Sequence, residues 1–249
     1  MTSTAGAVHI GIGGWDYEPW RGTFYPAGLA KAKQLEHASR RLSAIEINAT
    51  YYKLQKPELY ERWAATVPEG FKFAVKGSRF CSNRKVLAEG GAAVERFCGQ
   101  GFTHLGSKLG PILWQLMETK RFEPDDIAAF LALLPGEVDG VPLRHALEAR
   151  HESFRDPRFA AITRDAGVAI AFGDAELDDE PTADFVYCRL RGTRSDEPLG
   201  FAPAELDRLA GRARAWAGSG REVFLFFIAG AKEKAPAAAQ ALIERLGRH

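Results

Sequence analysis

A set of ionisable and polar residues recurs where short apolar runs come to an end. Glu46, Lys76, Glu148, Arg150, Asp174 and Arg189 carry charge there, with Asn48, Gln115, His151 and Tyr187 beside them. The densest piece is Leu147-Glu148-Ala149-Arg150-His151, three ionisable groups within four residues where a buried strand should be finishing. Burying a carboxylate next to a guanidinium is costly unless the two are paired or used. If used, the residue types specify the chemistry. Glu46, Glu148 and His151 can move protons. Arg150, Arg189 and Lys76 can hold an anion. Lys76 beside a carboxylate becomes an amine nucleophile if its pKa is lowered. The expected catalytic set is Glu46, Lys76, Glu148 and His151. Asn48, Gln115, Arg150, Asp174, Tyr187, Arg189 and Trp15 are expected to bind substrate.

These residues need elements that bring them together. Strand-like apolar runs occur at 8–13, 44–48, 71–76, 110–116, 143–150, 168–173, 185–191 and 223–228. Helical patterns occupy 30–42, 57–67, 84–97, 123–134, 156–167, 202–217 and 236–246, the third of them interrupted by Gly90 and Gly91. Pro57, Pro124 and Pro203 suit first helical turns. The acidic stretch 174–184 reads as loop. Alternating strands and helices imply parallel strands, and eight such units in 249 residues imply one α/β domain over 1–249, a (β/α)8 TIM barrel. A doubly wound sheet is the competitor, but Gly11-Ile12-Gly13-Gly14 lacks the final glycine of a dinucleotide fingerprint and runs into Trp15 rather than a helix.

Strand alternation then sets the direction of each side chain. Ile45 and Ile47 oppose Glu46 and Asn48; Phe73 and Val75 oppose Ala74 and Lys76; Trp114 opposes Gln115; Leu147 and Ala149 oppose Glu148 and Arg150; Val186 and Cys188 oppose Tyr187 and Arg189. The apolar set suits the helices, so the polar set points into the mouth at the strands' C-terminal ends, where sites of this fold lie. A structural ion network is the competing reading for any one pair. A plug could be apolar at lower desolvation cost, and six charges gathered from five strand ends favour a ligand site. His145 falls on the helix side and reads as structural; His9, His37, His104 and His249 have no evident partner. One tyrosine of Thr50-Tyr51-Tyr52 reaches either the mouth or the core. The loops after the last two strands, with Gly192, Thr193, Gly230 and Lys232, form a weak candidate phosphate site.

Bulk properties narrow the partners. Lys+Arg 33 against Asp+Glu 32 gives a net charge of +1, which weighs against a nucleic-acid partner, although a local basic patch would still permit one. Cys81, Cys98 and Cys188 are too few and too scattered for a disulfide framework or a CxxC metal site, so reduced buried thiols are expected. Residues 1–7 lack a basic start followed by an apolar run, and no segment approaches a membrane span. A cytoplasmic location is the expectation. Oligomeric state is not specified.

Gly13-Gly14-Trp15-Asp16-Tyr17, Trp20-Arg21-Gly22-Thr23-Phe24-Tyr25-Pro26 and Glu46-Ile47-Asn48-Ala49-Thr50-Tyr51-Tyr52 resemble motifs of the domain-of-unknown-function-72 (YecE-like) family. Phe71 to Lys76, Leu109 to Leu116 and Glu148-Ala149-Arg150-His151 continue the match in order. The resemblance implies a TIM barrel and no assigned reaction. It makes Glu46, Asn48, Lys76, Gln115, Glu148, Arg150, His151 and Arg189 the counterparts of the family's motif residues. Three departures stand out: Arg191-Gly192 where the family often has His-Gly, Ile228-Ala229-Gly230 where it often has Asn-Asn after Phe227, and Met117-Glu118 in place of Pro-Pro.

The expectation is an enzyme acting on a small phosphorylated or carboxylated substrate by acid/base chemistry, without a cofactor. The runner-up is a metal-dependent phosphodiesterase, endonuclease-like or sugar-isomerase-like barrel. There Glu46, Glu148, Asp174 and His151 would bind a divalent ion against the repulsion of three interleaved cations. A non-catalytic ligand-binding barrel is the third reading.

Overall fold

The computed structural model describes residues 5–247; His249 lies outside them. Eight strands close into a barrel: β1 Val8–Gly13, β2 Ala44–Ile47, β3 Lys72–Lys76, β4 Leu109–Gln115, β5 His145–Glu148, β6 Ala169–Phe172, β7 Phe185–Leu190 and β8 Glu222–Phe227. Every neighbouring pair is parallel, each strand pairs with the next, and β1 closes the ring against β8. This is the (β/α)8 TIM barrel expected from the strand count.

Two cores follow from the alternation. Inside the ring, Ala44, Ala74, Ala146, Ala169 and Ala171 face the rings of Phe185, Tyr187, Phe224 and Phe226, with Leu113 between. Small residues on one arc thus make room for aromatics on the other, and the barrel is filled rather than hollow. Outside, Ile10, Ile12, Ile45, Phe73, Trp114 and Leu147 meet the helices. Gly11 is required where β1 meets β2, because a Cβ there would lie 1.9 Å from the Ala44 carbonyl oxygen. Gly77, directly after β3, admits the Trp114 ring, which a Cβ would meet at 2.4 Å.

Several expected elements are shorter or broken. The 30–42 helix is a 3-10 turn at Lys31–Lys33 followed by Gln34–Ser39. The 84–97 helix splits into a 3-10 turn, Leu87–Gly90, and a helix, Gly91–Cys98, at the two glycines. The fifth strand begins later because a two-stranded ribbon, Glu137–Val138 with Val141–Pro142, takes up the chain before it; Asp139 and Gly140 turn it with positive φ. All three cysteines are buried and free. Among the described residues no helix is long and apolar enough to cross a membrane.

The N-terminal end of the barrel is closed by one ion group. Glu222 accepts from His9 Nε2 at 2.6 Å and from Arg144 Nη1 at 2.5 Å. His9 stacks on Phe224, and Arg144 lies over the Phe185 and Phe224 rings. Burial would raise the Glu222 pKa, but the His9 hydrogen bond and the Arg144 charge pull it down to about 2. The folded state therefore favours the ionised form, a stabilisation complete above pH 4.5 and lost as pH falls towards about 2. Glu222→Gln is expected to cost about 2 kcal/mol at pH 7. In urea titrations across pH, the gap from the unmodified protein should narrow below pH 4.5; a gap independent of pH would contradict this account.

Candidate active site

The mouth is built around Arg189. It projects inward from β7, one alternation above Tyr187, and is buried. Its Nε donates to Glu46 Oε2 at 2.9 Å and Nη2 donates to Glu46 Oε1 at 3.0 Å, a bidentate pair across the barrel. Its Nη1 pairs with Glu148. Tyr187 donates its hydroxyl proton to Glu46 Oε2 at 2.8 Å, and Gln115 Nε2 donates to Glu148 Oε2 at 2.7 Å. Arg150 Nε completes Glu148 at 2.9 Å, and its Nη1 reaches Glu118 at 2.5 Å. Four strand ends therefore meet as the alternation requires, through β2, β4, β5, β7 and the residues just beyond.

The electrostatics are set by burial against these contacts. Burial pushes the Glu148 pKa up, but the Arg189 and Arg150 charges and the hydrogen bonds from Arg150 and Gln115 overcome it and leave the carboxyl below its ordinary value. Glu148 is therefore ionised at neutral pH, placed to stabilise positive charge rather than to donate a proton. Burial, then the Glu46 charge, holds the Tyr187 hydroxyl pKa well above its ordinary value, so it keeps its proton.

Lys76 differs from its neighbours. It points inward from the end of β3, is 8% exposed, and among the described residues its ammonium has no hydrogen-bond or ion-pair partner. Nζ instead sits 4.3 Å from the centroid of the Tyr51 ring, and Tyr51 accepts from Asn83 at 3.0 Å. Burial, then the Arg189 charge, lowers its pKa to about 8 against the pull of Glu46 and Glu148. Lys232 repeats the arrangement after β8. Its Nζ lies 4.7 Å from the Tyr17 ring and 5.7 Å from Trp20, also without an ion partner among the described residues, and burial lowers its pKa despite the Glu46 charge. Such seats hold an ammonium without neutralising it.

Beside the Arg189 cluster an open cleft of about 890 Å³ is lined by Glu148, Arg150, His151, Asp174, Arg189 and Arg191 among others. Other expected residues have different positions. Asn48 Nδ2 donates to the Glu46 carbonyl at 3.3 Å, at the rim. His151 accepts the Ser153 amide at Nδ1 (3.1 Å) and caps the turn Glu152–Arg155, which engages that nitrogen while the residue still borders the cleft. Trp15 packs edge-on against Trp63 at 5.2 Å, towards the helix layer rather than the mouth. Asp174 accepts the Arg191 and Gly192 amides at 2.8 and 3.2 Å, so it braces the loop after β7 and stands apart from the Arg189 cluster. Thr193 donates to Ala229 and Ala231 carbonyls and pairs with Gly230, which ties the last two loops together. Of the expected phosphate donors, the Gly192 amide and Thr193 hydroxyl are thus already engaged, whereas the Lys232 ammonium has no ion partner among the described residues.

Sequence reasoning gave Glu118 no role in the site and left the rings of Tyr17, Trp20 and Tyr51 between the mouth and packing. Glu118 lies 3.9 Å from Arg191 as well as against Arg150. Two departures from the family pattern thus face each other, a pairing of signs that the sequence contained but did not locate. His145 is structural as expected: Trp114 Nε1 donates to its Nδ1 at 3.1 Å, its Nε2 lies 2.8 Å from the Pro135 carbonyl, and burial lowers its pKa. The four groups suggested as metal ligands do not converge. Among the described residues no group of three or more His, Cys, Asp or Glu is placed to share an ion.

Fold and mouth together describe a TIM barrel with a charged floor at the C-terminal ends of its strands. The chain belongs to the DUF72 family, described as proteins of unknown function, whose model matches residues 9–249. It is 30% identical over 142 residues to the UPF0759 protein YecE of Escherichia coli K12, a match covering 55% of this chain and 48% of that protein. It is 33% identical over 70 residues to the UPF0759 protein YunF of Bacillus subtilis, 28% of this chain and 23% of that one. The match spans about half the length of the first of these curated relatives. Crystal structures of DUF72 family proteins superpose throughout: one from Thermotoga maritima (20% identity, TM-score 0.74, 95% of this chain and 96% of that one) and one from Enterococcus faecalis (16%, 0.74, 99% and 100%). At these identities the likeness shows the fold.

Two substitutions should move stability in opposite directions. Arg189→Met strands two buried carboxylates and is expected to cost about 3–5 kcal/mol. Lys76→Met removes an amine that gives up its proton near pH 8 in the folded state against 10.5 for a free lysine. The unfolded chain binds the extra proton between those values, so the penalty is whole below pH 8 and fades as pH rises through the window. Lys76→Met should therefore stabilise by about 2–3 kcal/mol at pH 7, with the gain shrinking towards pH 10. Denaturant unfolding of both variants checks the signs.

Proposed function

We propose that this protein is an enzyme that moves a proton on a small phosphorylated or carboxylated substrate held at the barrel mouth. The observation that carries the reading is Lys76, a buried amine that has no ion partner among the described residues, beside a network in which Glu46, Glu148, Arg150 and Arg189 are paired. A structural plug gains nothing from an unpaired ammonium at that depth, whereas acid/base catalysis works best with a group that titrates near the operating pH. Lys76 takes the proton-carrying role, and Glu46 and Glu148, fixed by Arg189, stabilise positive charge developing above them. Lys232 and the outer edge of Arg150 hold the substrate's anionic group. Asn48, Gln115 and Tyr187 position these groups, and His151 borders the cleft as a second proton carrier.

The test is a thermal-shift panel of small phosphorylated and carboxylated compounds, with calorimetry and turnover assays on each ligand found. A ligand should bind about tenfold more weakly to Lys232→Met or Arg150→Met, the loss of one charge-assisted contact. Lys76→Met should abolish turnover while leaving affinity within a few-fold. Undiminished turnover in Lys76→Met, or ligands indifferent to all three changes, would overturn the assignment.

A further inference from the structure

We infer that Lys76 forms an imine with its substrate, and that the substrate is therefore a small carbonyl compound bearing an anionic group, such as a 2-oxo acid. The inference rests on the acid/base reading above and names the substrate class of that site. Proton transfer alone would be served by any amine in reach; covalent chemistry needs a fixed one with its lone pair unclaimed. Lys76 meets both demands. Its carbonyl accepts the Thr50 hydroxyl at 2.6 Å, and the following Gly77 amide donates to the Leu113 carbonyl at 2.7 Å, so the backbone under the side chain is pinned by the short helix Ala49–Tyr52 after β2 and by β4. Among the described residues no carboxylate is hydrogen-bonded to Nζ, and an amine so bonded would hold its proton and lose its nucleophilicity.

The surroundings also suit the product. An iminium ion keeps the positive charge of the ammonium it replaces but spreads it along a C=N bond. The Tyr51 face 4.3 Å away can stack on that flat cation, and the buried carboxylates of Glu46 and Glu148 provide opposing charge without competing for the nitrogen. Burial and the Arg189 guanidinium lower the pKa of the amine to about 8, which leaves a useful neutral fraction at physiological pH. Lys232, seated on Tyr17 and Trp20, offers the second positive charge that an anionic carbonyl compound requires.

The step balances without a cofactor. Neutral Nζ attacks the carbonyl carbon, the C=O π pair moves to oxygen, and as that oxygen takes a proton the nitrogen gives one up, which leaves a carbinolamine. A second proton on the hydroxyl lets it leave as water while the nitrogen lone pair closes the C=N bond, giving the iminium; loss of its N–H proton returns the second proton, so in sum amine plus carbonyl gives imine plus water. Once formed, the iminium draws electrons from the adjacent carbon, which is how such sites labilise a C–H or C–C bond.

Borohydride trapping tests it directly, because hydride from the reagent turns the imine into a stable secondary amine. The full chain is incubated with glyoxylate or pyruvate, and in parallel with neutral glycolaldehyde, then reduced and read by intact mass and peptide mapping. The expected result is one adduct, on Lys76, forming at least about tenfold faster with the carboxylated probes, rising in rate with pH through about 8 and absent in Lys76→Arg. Mapping on the unmodified protein locates the adduct even if that variant folds poorly. No adduct on Lys76, adducts spread evenly over surface lysines, or equal trapping of the neutral probe would each overturn the inference. Oxalate, an anion with no ketone or aldehyde, separates the two levels. If it raises the melting temperature while neither oxo acid is trapped, the anion site stands and the imine falls; if it gives no shift and nothing is trapped, both fall.

Discussion

The pairing of Arg189 with Glu46 and Glu148 is the constraint on which the mouth depends. Taking two carboxylates and a guanidinium out of water costs several kcal/mol per ion, and only close, multiply hydrogen-bonded geometry offsets it. That geometry is present: a fork on Glu46, a third contact on Glu148, and the remaining carboxylate lone pairs met by Tyr187, Gln115 and Arg150. Because the partners belong to strands on different sides of the ring, the cluster also fixes their relative height. A one-residue slip in any of these strands would turn its charge into the helix layer.

The packing below explains how so polar a floor is tolerated. Alanines on one arc and aromatics on the other fill the barrel interior, so no water column reaches the cluster from beneath. The far end is stoppered by the His9, Glu222 and Arg144 group. The two ion groups are nonetheless different in kind. The lower one is closed on itself, each charge answered. The upper one leaves Lys76 and Lys232 on aromatic faces with their charge unspent, and the functional reading rests on that difference.

Much of this was legible in the sequence because the barrel obeys two simple periods. Alternation alone sent Glu46, Lys76, Gln115, Glu148, Tyr187 and Arg189 to the interior, and the structure brings them there. What alternation cannot see is distance across the ring, or anything in the loops. It gave no means of telling that Arg189 would be consumed by two carboxylates while Lys76, of like charge, would have none. Asp174 and His151 sit two and three residues beyond their strands, where the period lapses and local backbone hydrogen bonds decide the side chain's direction. Trp15 follows Gly14, whose φ is +73, and there its ring packs edge-on against Trp63, a contact that strand alternation does not anticipate. The helix at 30–42 was overread because its pattern is amphipathic throughout, while only its middle turns keep α-helical hydrogen bonds.

The loop after β7 carries one more implication. With the Asp174 carboxylate on the Arg191 and Gly192 amides, the protein supplies its own occupant for a small anion-binding nest. A ligand reaching for those amides meets a resident competitor at effectively high local concentration, and its apparent affinity falls by the fraction of time the nest stands vacant. Selectivity there becomes a contest of charge. A singly charged oxygen only replaces what is already present, whereas a more highly charged group competes for the amides on better terms, while the rest of the acidic loop 174–184 keeps its contacts to Arg208, Arg212 and Ile170.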